Sequence, residues 1–161
     1  MQQTTKSNGL NWLALSVIIF LVDVGSKFIV LSQFDLYDSV NLLPFFSLTY
    51  VQNFGAAFSF FLGQRWILAI IAIAMSLFII RLLYKSPKEE KLANCSYALI
   101  LGGAIGNLFD RLYHGFVVDF FDFFIGTWHY PIFNIADIAI CVGVGLLLIS
   151  SFMSKKREKQ E

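Results

Sequence analysis

Apolar positions dominate four stretches of the chain, each long enough to cross a bilayer, and most polar positions collect between them. A helix crossing ~30 Å of hydrocarbon needs ~20 mostly apolar residues. Residues 10–31 are interrupted only by Asp23, Lys27 and small polar side chains, 66–84 carry a single charge at Arg81, 92–109 carry none, and 133–153 carry one at Asp137. Two longer connections, 32–65 and 110–132, show other periods. Phe34, Leu36, Val40 and Leu43 fit a short helix lying in the interface. After Pro44 the β-favouring run 45–51 predicts a strand, and 116–124 predicts a second. If the two strands pair, their backbone groups are open to a peptide by strand addition.

Charge gives these elements an orientation. Short cytoplasmic loops accumulate Lys and Arg, and nine of the 12 fall in three places: Lys6, then Arg81, Lys85, Lys88 and Lys91, then Lys155, Lys156, Arg157 and Lys159. An even number of spans puts all three on one face, so both termini are expected in the cytoplasm and loops 32–65 and 110–132 outside. All the aspartates then fall at the outer side and all the glutamates at the inner one. The expected architecture is an all-α integral membrane protein, with four transmembrane helices, a small extracytoplasmic β-sheet and a short interfacial helix. With 57% hydrophobic and 14% charged residues in 161, little remains for a soluble part, and a single domain over 1–161 is expected. The first span is expected to stay rather than act as a cleaved leader: the run is long, no small-x-small site closes it, and Asp23 and Lys27 lie inside.

Several features drop out of the functional reading. A net charge of +1 argues against nucleic acid. On this topology Cys95 and Cys141 lie near opposite faces, and no bridge between them is expected. Asn94-Cys95-Ser96 matches a glycosylation sequon but opens a span on the cytoplasmic side. Gly102, Gly103, Gly106, Ala139 and Gly143 are small residues that let transmembrane helices approach.

The chemistry gathers at one depth. Asp23 lies about thirteen residues into an outward-running helix, ~20 Å at 1.5 Å per residue, with Lys27 one turn further out as an i, i+4 ion pair. The third span delivers Asn107, Asp110 and Arg111 to its outer end, and the fourth starts at Asn134 with Asp137 one turn in. An ionisable residue in a membrane usually faces a bundle interior or a wet cavity, which makes Asp137 a functional candidate. His114 and His129 form no HExxH and no other metal-ligand spacing, and no G-x-S-x-G is present. What remains is a carboxylate pair sharing one proton, able to activate water and polarise a carbonyl as in aspartic proteases. The partner of Asp137 is open among Asp35, Asp38, Asp110, Asp119 and Asp122. Strand alternation puts Asp119 and Asp122 on opposite faces without choosing between them.

Five motifs in order now stand out: Asp23-Val24-Gly25-Ser26-Lys27, Asn53-Phe54-Gly55-Ala56-Ala57-Phe58-Ser59, Gly102 through Asn107-Leu108-Phe109-Asp110-Arg111, Val117-Val118-Asp119-Phe120, and Phe133-Asn134-Ile135-Ala136-Asp137. Over nearly its whole length the chain resembles the bacterial lipoprotein signal peptidases, also called signal peptidase II, with no departure at these positions. The resemblance implies an aspartic endopeptidase of the bacterial inner membrane that removes the signal peptide of prolipoproteins just before the lipid-modified cysteine. It implies Asp119 and Asp137 as the catalytic pair, and Asn53, Gly55, Asn107, Arg111, Asn134 and Ala136 as substrate-binding. Asp23, Lys27 and Asp110 become structural polar residues. Diacylglyceryl-prolipoproteins and membrane lipids are the expected partners of a monomer, with no cofactor, metal or nucleic acid. A small proton or ion transporter, or a non-catalytic assembly subunit, would also carry intramembrane Asp and Lys. Against a transporter, no polar trail continues to the cytoplasmic side.

Overall fold

In the computed structural model, residues 8–55 and 63–158 are described. Lys6, Lys159 and the motif residues Ala56, Ala57, Phe58 and Ser59 lie outside them. Four long helices carry the apolar runs: α1 (Leu13–Gln33), α2 (Arg65–Lys85), α3 (Lys91–Tyr113) and α4 (Ile135–Glu158). A 3-10 turn, Gly9–Trp12, leads into α1. All four have the length and composition of a membrane span. α3 packs against each of the other three, and it is the most buried of them.

Glycines set that packing. A methyl group on Gly103 would run into the backbone carbonyl of Ala136 in α4, and one on Gly102 would meet the Ser16 carbonyl of α1. In lipid such close approach replaces the hydrophobic drive that joins helices in water. Gly103→Ala should therefore lower the melting temperature in detergent, by overpacking worth ~1–3 kcal/mol. Gly145→Ala, whose added methyl meets nothing, should not lower it.

At one end of the bundle the connections form an antiparallel sheet in the order β1-β2-β3-β4, made of β1 (Ser39–Leu43), β2 (Phe46–Asn53), β3 (Val117–Ile125) and β4 (Trp128–His129). The expected pairing of two strands is the β2–β3 ladder, with Val51 opposite Asp119 and Ser47 opposite Asp122 and an irregularity between Leu48 and Val51. Segment 32–43 corrects the expectation of a short interfacial helix. It is the end of α1, a turn and strand β1. Tyr37 takes a left-handed φ of 73°, and the Asp38 carboxylate accepts the Asp35 N–H at 2.9 Å, which ends helical continuation there. The open edge of β2 then gives β1 its backbone partners, and Ser39 and Thr49 hydroxyls bond across the hairpin at 2.7 Å. Hydrophobic spacing alone fits both readings, because it does not register the available edge.

Val30, Tyr50, Val118 and Phe120 form a buried cluster joining α1 to the sheet, with Ile135 of α4 packed against it. That cluster fixes β3 against the tops of α1 and α4, and the polar residues lie beside it.

Candidate active site

The site is built around a buried cation. Lys27 Nζ lies 2.8 Å from Asp23 Oδ2, 3.0 Å from Asp110 Oδ2 and 3.0 Å from Asn107 Oδ1. The three side chains that join α1 to α3 here, Asp23, Lys27 and Asp110, are almost wholly buried. An ammonium only donates: Lys27 donates a hydrogen bond to Asn107 and faces the two carboxylates as ion-pair partners. Each carboxylate also accepts a backbone N–H, Ala136 on Asp23 at 2.8 Å and Val118 on Asp110 at 2.9 Å. The i, i+4 pair expected in α1 is present as the core of a larger network reaching α4 and β3.

Asn134, directly ahead of α4, links the two aspartates. Its side-chain oxygen accepts the Asp137 N–H at 3.0 Å, and the Asp137 carboxylate accepts the Asn134 N–H at 3.2 Å. This is a reciprocal capping box, satisfying donors that the first turn leaves free. Asp137 thus sits at a helix N-terminus, where the helix dipole favours negative charge. The amide nitrogen of Asn134 donates to Asp119 Oδ1 at 2.6 Å. Asp137 Oδ1 accepts from Asn107 Nδ2 at 2.8 Å, and Asp119 Oδ2 from Asn53 Nδ2 at 2.9 Å.

The two carboxylates differ in surroundings. Asp119 is 2% exposed, whereas Asp137 is partly exposed. Burial, and after it the neighbouring Asp137 charge, push the Asp119 carboxyl up to about 7, against the amides of Asn53 and Asn134, which favour its ionised form.

Arg111 ties the margin of the site together. Its guanidinium donates to the Asn107 carbonyl at 3.1 Å and to the Gly55 carbonyl at 3.0 Å, while the Gly55 N–H donates to Asn53 Oδ1 at 3.0 Å. Of the residues expected to bind substrate, Asn53, Gly55, Asn107, Arg111 and Asn134 surround the aspartates. Ala136 differs: its side chain is fully buried and packs toward Gly106, while its carbonyl abuts Gly103. That placement makes its side chain a contact between α3 and α4.

Asp122 points elsewhere. It accepts from the Thr49 hydroxyl at 3.0 Å and meets His129 Nδ1 at 2.7 Å, so it ties β2, β3 and β4 together. His114 stacks with Phe116. Sequence reasoning placed both histidines near the outer surface but missed the Asp122–His129 pair, since β4 is only two residues long.

The profile of the family described as Signal peptidase (SPase) II matches residues 15–153. The chain belongs to the signal peptidase II family. Among similar relatives, a lipoprotein signal peptidase of Photorhabdus laumondii is 55% identical over 96% of this chain and 95% of its own length. One of Yersinia enterocolitica is 52% identical over 96% of this chain and 94% of its own. A solved bacterial membrane enzyme, determined by the in meso method at 2.3 Å resolution, superposes with a TM-score of 0.86 at 29% identity, covering 94% of this chain and 93% of that one.

Proposed function

We propose that the chain is an aspartic endopeptidase that cuts diacylglyceryl-modified prolipoproteins just before the lipidated cysteine. The observation that carries this reading is the bridge through Asn134, which joins one deeply buried carboxyl to one at a helix N-terminus. Asp137 is the ionised member: it takes a proton from a water as the water oxygen attacks the scissile carbonyl. Asp119 holds its proton and donates it to the carbonyl oxygen as the tetrahedral intermediate forms. Collapse breaks the C–N bond, passes the Asp137 proton to the leaving amine of the cysteine and returns one hydroxyl proton of the intermediate to Asp119, leaving a carboxyl group on the signal peptide. Asn53, Asn107 and Asn134 orient the pair, and the strand edges hold the peptide backbone.

The orientation given by the basic clusters places this site at the outer leaflet of the bacterial inner membrane, with both termini in the cytoplasm. A substrate anchored by its acyl chains lies at that depth, and a monomer surrounded by membrane lipids suffices. The test is purified protein in lipid with a diacylglyceryl-modified precursor. The expected product begins at the lipidated cysteine, and an uncut precursor overturns the reading. A transporter or an assembly subunit leaves the precursor whole.

Two further outcomes follow. Because Asp119 acts as an acid and titrates at about 7, kcat/KM should fall as pH rises through that value, close to tenfold per unit above it. A flat profile to about pH 9 would remove the proton from Asp119 in the mechanism. Arg111→Lys keeps the charge and loses the fork that spans two carbonyls. It should lower kcat/KM about tenfold, one hydrogen bond's worth, in a protein that still folds.

A further inference from the structure

In the ion triad of Asp23, Lys27 and Asp110 a single carboxylate already neutralises the ammonium. Lys27 Nζ faces both carboxylates, and it donates to the neutral Asn107 Oδ1, 3.0 Å away. That contact fixes the Asn107 amide. A donor-only ammonium faces the oxygen end, so the nitrogen end must turn the other way, where it lies 2.8 Å from Asp137 Oδ1. Asn134 Nδ2 also approaches the Asn107 oxygen, at 3.2 Å, which reinforces the same orientation. An amide nitrogen can only donate, so Asp137 Oδ1 must accept. The other Asp137 oxygen already accepts the Asn134 N–H.

We infer that Lys27 is a positioning residue for catalysis: acting through Asn107, it presents a fixed N–H donor to Asp137 and holds that carboxylate in the accepting, water-activating role. The inference rests on the reading of Asp119 and Asp137 as the catalytic pair. Lys27 touches neither the substrate nor the reacting atoms. Its effect passes across one amide.

A merely structural Lys27 is distinguishable from this one. The triple variant Lys27→Met, Asp23→Asn, Asp110→Asn removes the cation without stranding a carboxylate, and each new Asn can still accept its backbone N–H. In that folded protein kcat should fall on the order of 10- to 100-fold, as for outer partners that orient a reacting group, with KM near the wild-type value. Wild-type kcat there would make Lys27 structural only and overturn the inference. Asn107→Asp is the second variant. It keeps an oxygen for Lys27 and puts another oxygen, in place of the donor, against Asp137. Its kcat should drop with little change in KM and no loss of folding, whereas unchanged kcat overturns the inference even if the triple variant does not accumulate. Asp119→Asn, assayed beside them, separates the two failures. If it is inactive while both variants are fully active, only the positioning role falls; if it is active, the catalytic pair falls and the positioning role with it.

Discussion

Asp119→Asn and Asp137→Asn should each abolish processing of lipidated precursor, by roughly four orders of magnitude or more, and the double variant should be scarcely worse than either. Removing one member of a unit that shares a proton removes the function of both, so the losses do not add. Neither change deletes a side chain that holds the fold, because Asn is nearly isosteric and its one amide oxygen can still meet one of the two donors at each position, from Asn53 and Asn134 at 119 and from Asn107 and the Asn134 N–H at 137. The inactive proteins should therefore melt near the wild type. Asp122→Asn is the internal control. It is as buried as Asp119, but its partners are Thr49 and His129 in the sheet, so it should cost some stability and keep most of the activity. A dead Asp122→Asn beside a fully active Asp119→Asn would mean that the pair is assigned to the wrong strand position.

The helices were legible because lipid imposes a simple condition: every backbone group must be satisfied within a run of apolar residues. α3 is the instructive exception at its end. Hydropathy stops at Phe109, but the helix continues to Tyr113. Its polar last turn is held by Asp110, which bonds Lys27 and Val118, and that support is tertiary. The sheet was half legible. The β-favouring composition of β2 and β3 is local, but β1 becomes a strand because an edge is beside it, and β4 because a hairpin turns at Gly126, with φ of 61°. Within the site, Asn134-Ile135-Ala136-Asp137 is a capping-box pattern, a signal that could have given Asn134 its cap role from the residues alone. The contact of Lys27 with Asn107 had no such signal. It joins residues 80 apart in sequence, and i, i+4 spacing supplied a sufficient partner in Asp23.

Lys27→Met alone should be the most destabilising of the substitutions considered. It leaves Asp23 and Asp110 buried without a counter-charge, and breaking a buried pair by removing one partner costs ~3–5 kcal/mol. Against a total stability of ~5–15 kcal/mol, that is enough to reduce folded yield and to lower the melting temperature in detergent clearly. Adding Asp23→Asn and Asp110→Asn should recover most of the loss, since the backbone donors of Ala136 and Val118 keep an acceptor and no charge is stranded. Such recovery with neutral side chains at all three positions would mean that the fold has no need of three buried charges at the meeting of α1 and α3. Neutral groups of similar volume often replace a buried ionic cluster without loss. A charged arrangement that stability alone does not require is then left with its hydrogen bond to Asn107, the amide beside Asp137. A Lys27→Met protein that melts with the wild type would show instead that the two carboxylates need no cation.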